Sequence, residues 1–190
     1  MKKRLFIAIK LNESTLIALR QFQNELKQAL PYKGIRWVDP ALFHLTLQFL
    51  GDTEASLEPK LAANLEFAAK KCTPFALNFA GAGFFGSKSS VRTLWAGTQP
   101  ASEMRKLFDQ VIAATSFLEA EKRVRFSPHL TLARGSNGLT RDESIHISET
   151  ISANNNRDFG VTEVRSFELI ESILKPSGPV YKTVRIFNLV

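Results

Sequence analysis

Apolar positions along the chain switch between two spacings. Residues 3–10 (Lys-Arg-Leu-Phe-Ile-Ala-Ile-Lys) form a short β-rich run with the pattern of a buried strand, and Asn12 stands where a helix N-cap belongs. Leu16, Leu19, Phe22, Leu26 and Leu30 then recur at helical spacing as far as Pro31. After a loop holding Gly34 and Pro40, residues 43–50 alternate or run apolar and stop at Gly51, which predicts a strand closed by a turn. Leu57, Leu61, Leu65 and Ala68 mark a second helix.

The second half repeats this grammar. Residues 75–85 and 91–98 read as strands joined at 86–90 by a loop suited to a hairpin, and Pro100 and Ser102 precede a helix carrying Met104, Leu107, Val111 and Ile112. Residues 124–133 return to strand, a weaker helix is expected over 141–153, and Asn154-Asn155-Asn156 breaks it. The stretches 159–174 and 180–189, separated by Pro176-Ser177-Gly178-Pro179, read as closing strands. Strands and helices alternate in both halves with no low-complexity linker between them. The expectation is an α+β or α/β protein in which residues 1–190 form a single domain of two lobes.

One string occurs twice. His44-Leu45-Thr46-Leu47 and His129-Leu130-Thr131-Leu132 lie 85 residues apart, each in a predicted strand. Arg36-Trp37 and Pro40 precede the first, Arg125-Phe126 and Pro128 the second, and Gly51 and Gly135 follow them. The chain has 12 Thr and three His, so two of the three His gaining a Thr at +2 by chance has odds of roughly 1%. In a strand, side chains alternate faces, so His44 shares one face with Thr46, His129 shares one with Thr131, and the four leucines take the other. Leucines turned toward helices build a core. If the two halves are related by a twofold, their polar faces meet in one groove.

Two imidazoles on opposite sides of a reacting centre suit in-line displacement at phosphorus. A neutral one takes a proton from water or a hydroxyl while a protonated one gives a proton to the leaving oxygen, and an ordinary value near 6.5 supplies both forms at neutrality. Threonine hydroxyls donate to the non-bridging oxygens. The arrangement needs no metal and no other cofactor. Arg134, placed just after its predicted strand and beside Gly135, is a candidate phosphate ligand; Arg36 and Arg125 are equally explained by a solvated surface or structural pairing. Trp37, Phe43, Phe126 and Tyr181 are candidates for stacking on a base, with core packing the competing role in a chain of 15 Phe.

Composition narrows the rest. With 25 Lys plus Arg against 18 Asp plus Glu the net charge is +7, which favours a polyanionic partner, and 44% hydrophobic residues suffice for a core. The single cysteine, Cys72, excludes an intrachain disulfide and a thiolate metal cluster. The N-terminal apolar run is far shorter than a signal sequence and nothing approaches a membrane span, so a cytoplasmic location is expected. His146 has Ser148 at +2 and no echo elsewhere; with Glu143 and Glu149 it reads as a solvated helix face rather than a metal site. The Gly81–Ser89 glycines and Lys88 lack a phosphate-loop pattern, and no Gly-x-Ser-x-Gly elbow is present.

The chain resembles the two-histidine phosphoesterase superfamily, and within it the bacterial and archaeal RNA 2′,3′-cyclic phosphodiesterases once described as 2′,5′-RNA ligases. The resemblance rests on Arg4-Leu5-Phe6-Ile7-Ala8, Arg36-Trp37, His44-Leu45-Thr46-Leu47-Gln48-Phe49-Leu50-Gly51 and Leu94-Trp95-Ala96-Gly97. It continues through residues 126–134 and from Ser172 to Tyr181. It implies an α+β fold of two pseudo-twofold-related lobes, each an antiparallel sheet with outer helices, around a central cleft. It also implies metal-independent opening of a 2′,3′-cyclic phosphate at an RNA end to a 2′-phosphomonoester, with 2′,5′ ligation as the related reversal. By the resemblance, His44 is the proton donor to the 3′ oxygen and His129 the proton acceptor from water, while Thr46 and Thr131 hold the phosphate. The competing expectation, a non-catalytic RNA-binding module, accounts for the charge but gives no reason to duplicate His-x-Thr.

Overall fold

The computed structural model describes residues 1–118, 126–176 and 178–190. Strand β1 (Lys2–Ile9) leads into helix α1 (Glu13–Ala29), whose first turn is capped by the Asn12 side chain accepting from the Thr15 amide. Next come β2 (Ile35–Trp37), β3 (Leu45–Glu54), α2 (Glu58–Ala69), and the β4 (Phe75–Ser87) and β5 (Ser90–Thr98) hairpin. The remaining elements are α3 (Ser102–Thr115), β6 (His129–Gly135), α4 (Arg141–Ser152), β7 (Asp158–Val164), β8 (Ser166–Lys175) and β9 (Gly178–Asn188). Helix α4 opens on a full capping box between Thr140 and Glu143, which offsets its weak apolar stripe.

The strands form two antiparallel sheets, ordered β3-β1-β8-β9 and β2-β6-β5-β4-β7. The class is α+β. The first sheet sets β1 and β3 from the first half of the chain beside β8 and β9 from the second, while the second sheet takes β2 from the first half and pairs it with β6, beside β5, β4 and β7. This exchange interleaves the two halves. Helices α2 and α3 pack together on the first sheet's side, against β9 and β3, while α1 and α4 pack on β7, β4 and β5 of the second. One hydrophobic cluster runs through both sheets and includes Leu45, Leu47, Leu130 and Leu132. A small second cluster, Phe6, Ala8 and Ile170 with Tyr181, sits on the other face of the first sheet.

Three sequence expectations change. The stretch 159–174 is two strands in different sheets, divided at Arg165, because its apolar run carries no mark of which sheet each part joins. The strand expected over 124–133 begins at His129, after Pro128, which has no amide to give a ladder; residues 124 and 125 lie outside the described residues. Gly51 does not end its strand. It sits inside β3 at φ 67°, where the register with β1 slips by one and Leu50 bulges, and β3 continues to Glu54. No helix among the described residues is long and apolar enough to cross a membrane.

Candidate active site

Both duplicated segments carry the same irregularity. Opposite β1, Thr46 pairs with Ala8 and Gln48 with Ile7, so Leu47 is the extra residue; opposite β5, Thr131 pairs with Trp95 and Ala133 with Leu94, so Leu132 is. A bulge shifts the alternation by one. Leu47 and Gln48 are therefore both buried, as are Leu132 and Ala133, and the next residues, Phe49 and Arg134, return to the face occupied by histidine and threonine. Without the slip Arg134 would point into the core. The second bulge is held in place: the Leu132 carbonyl accepts from the Val38 amide at 3.0 Å and from the buried Gln23 amide on α1 at 2.9 Å. Gln48, beside the first, is bonded by the Thr115 hydroxyl of α3 at 2.7 Å.

The two faces meet across a groove of about 1270 Å³ that His44, Thr46, His129, Thr131 and Arg134 all line. His44 lies one residue ahead of β3 and His129 begins β6. Each imidazole is fixed in the same way, with its Nδ1 2.7 Å from the carbonyl oxygen two residues earlier, Leu42 for His44 and Ser127 for His129. A carbonyl only accepts, so Nδ1 carries the hydrogen and Nε2 is left to take or give a proton in the groove. Aromatic rings brace both: Tyr181 stands edge-on to His44 (5.3 Å, 84°) with Phe6 beside it at 4.9 Å, and Phe85 stands edge-on to His129 (4.8 Å, 89°).

Electrostatically the groove is cationic. Arg134, Arg36 and Arg4 line it, and none makes an ion pair among the described residues. Arg36 stands directly opposite Arg134 in the β2–β6 register, a like-charge juxtaposition that disfavours the empty state and favours a bound anion. Burial against the aromatic wall holds His44 below the ordinary histidine value; the Leu42 carbonyl opposes this and the Arg134 charge adds to it. Burial raises the Tyr181 phenol, with Arg134 and Arg4 acting in the opposite direction.

The sequence candidates divide as follows. His44, Thr46, His129, Thr131 and Arg134 come together, although Arg134 lies within β6 rather than after it. Trp37 and Tyr181 line the groove, Phe43 is core, and Phe126 packs on Phe108 at 5.0 Å beneath Arg105. Arg125 lies outside the described residues. His146 is away from the groove, with its Nδ1 2.6 Å from the Tyr32 hydroxyl, and Glu143 is engaged in the helix cap. Sequence reasoning missed Phe49, an exposed ring (61%) at the groove, and the structural part of Gln23; strict alternation assigns Phe49 to the leucine face, and only the strand register reveals otherwise.

Duplicated strands that turn imidazole and hydroxyl toward one arginine-lined groove define a phosphoesterase of the two-histidine class. The family model described as LigT like phosphoesterase matches residues 9–95. An RNA 2′,3′-cyclic phosphodiesterase from Archaeoglobus fulgidus is 31% identical over 187 residues, covering 97% of this chain and 99% of the relative. One from Methanothermobacter thermautotrophicus is 28% identical over 192 residues and covers 100% of each. Among solved structures, one from Thermus thermophilus matches with a TM-score of 0.81 at 29% identity, covering 98% of this chain and 97% of that one. Escherichia coli LigT, solved with 3′-AMP, matches in fold with a TM-score of 0.77 at 24% identity, covering 100% and 99%. The chain belongs to the LigT-like phosphoesterase family.

Proposed function

We propose that the protein hydrolyses RNA 2′,3′-cyclic phosphate ends to 2′-phosphomonoesters. The observation that carries this reading is the pair of imidazoles, each with Nδ1 tied to a backbone carbonyl and Nε2 presented to one cationic groove. The names of the relatives support the substrate class.

In this reading, a water oxygen attacks phosphorus opposite the 3′ oxygen while His129 Nε2 takes its proton. The bond from phosphorus to the 3′ oxygen breaks, and His44 gives the proton on its Nε2 to that oxygen, leaving a 2′-phosphomonoester and a free 3′-hydroxyl. Thr46, Thr131 and Arg134 donate to the non-bridging oxygens, and Arg36 adds charge from across the strand pair. Burial disfavours the charged form of His44 in the empty groove, and an arriving phosphate anion favours it, so His44 gains its proton together with substrate. No step draws on a metal or cofactor. A ribose 5′-hydroxyl replacing water would use the same groups to form a 2′,5′ linkage. Exposed Phe49 offers a face on which a nucleobase stacks. Residues 1–190 act as one unit, since each half supplies one histidine.

The test is incubation of an oligonucleotide bearing a 2′,3′-cyclic end with the protein and EDTA, with the product identified by phosphorus NMR. A 2′-phosphomonoester is expected. A 3′-phosphate, or loss of turnover with chelator, overturns the reading, and binding without turnover would favour an RNA-binding module.

A further inference from the structure

The groove extends well past the two histidines along the first sheet. On β1, Phe6 and Arg4 line it, Ala8 is buried beside Phe6 on the same face of the sheet, and Ala8 stands opposite Thr46 in the register. Arg4, four residues on, is therefore about 13 Å from the Thr46 level at ~3.3 Å per residue. On β8, Glu168 pairs with Ala8, so Leu174 lies six residues farther along, about 20 Å away by the same rise. Leu174 is 66% exposed and Val180, on the facing strand of the same hairpin, 41%, yet both line the groove together with Pro179. An exposed apolar surface continuous with a cationic groove, and beyond the reach of the phosphate and ribose held at the histidines, is the composition of a single-strand track: charge for the backbone, apolar faces for the bases.

We infer that this arm, Arg4 followed by the exposed side chains of Leu174 on β8 and Val180 on β9, binds the RNA chain on the 5′ side of the reacting nucleotide. Arg4 meets an upstream phosphodiester, and Leu174 and Val180 pack against an upstream base. Asp39, which follows β2 of the second sheet, also lines the groove, and its charge opposes a polyanion there. The inference rests on the proposed function and adds to it the residues, Arg4, Leu174 and Val180, that favour an RNA chain over a cyclic mononucleotide.

The experiment compares kcat/KM for a short oligonucleotide with a 2′,3′-cyclic end against that for the matching nucleoside 2′,3′-cyclic phosphate, in the wild type, Arg4→Gln and Leu174→Ser. The wild type is expected to prefer the oligonucleotide. Leu174→Ser should shrink the preference roughly fivefold, at the low end of losses for a stacked base. Arg4→Gln should shrink it too and flatten the dependence of log kcat/KM on log salt by about 0.7 for the oligonucleotide, one single-strand phosphate contact. Equal kcat/KM for the two substrates in the wild type, or variants that lower both in the same proportion, would overturn the inference while leaving the proposed function standing. Turnover of neither substrate would overturn both.

Discussion

Arg134→Gln perturbs the site in two separable ways. The first is rate. Loss of one preorganised donor to a charge-bearing transition state costs about 2.7–4 kcal/mol, so kcat should fall about 10²- to 10³-fold. The second is the titration of His44. Its depression arises chiefly from burial, is opposed by the Leu42 carbonyl, and is deepened by the Arg134 charge, the smallest of the three contributions. Removing that charge makes protonation easier, so the midpoint should rise, yet stay below the ordinary histidine value because burial outweighs the carbonyl. Opening the wall with Tyr181→Ala should raise it further, since that relieves the larger cause. Proton NMR titration of the His44 ring reads this directly. A midpoint that stays put or falls in Arg134→Gln would refute the electrostatic influence of Arg134 on His44, and a larger rise than in Tyr181→Ala would refute the ranking of causes.

His44→Ala and His129→Ala should each abolish turnover, whereas Thr46→Ala or Thr131→Ala should lower kcat about 10²- to 10³-fold; steady-state kinetics on a cyclic-ended RNA separates the two groups. Phe49→Ala should weaken substrate binding by about 1 kcal/mol or more while leaving the unfolding midpoint unchanged, since the ring is exposed. Folding stability should depend on His44. Its native value lies below the unfolded one, so its stabilising contribution is present above about pH 6.5 and is lost as the pH falls toward the native value. Urea titrations across that range should show wild type losing more stability than His44→Gln.

The duplicated His-Leu-Thr-Leu strings made the pairing of the site legible, because period-two alternation is a property of any strand and needs no tertiary information. The four leucines went to the core and the histidines and threonines to the groove on that logic alone. What lay beyond Thr46 and Thr131 was not legible in the same way. A bulge inserts one residue without altering composition, and its stabilising partners, Gln23 with Leu132 and Gln48 with Thr115, come from helices distant in sequence. Phe49 and Arg134 therefore changed face without a local signal. The placing of β7 and β8 in different sheets was hidden for a related reason, since 159–174 is apolar on both sides of Arg165 and only the pairing assigns the two parts.

The central claim is a single in-line displacement between two imidazoles. The direct measurement is the stereochemical course at phosphorus, using a 2′,3′-cyclic phosphorothioate end of defined configuration hydrolysed in ¹⁸O-water. Inversion is the predicted result, because water enters on the His129 side as the 3′ oxygen leaves toward His44. Retention would require two displacements through a covalent intermediate and would contradict the account.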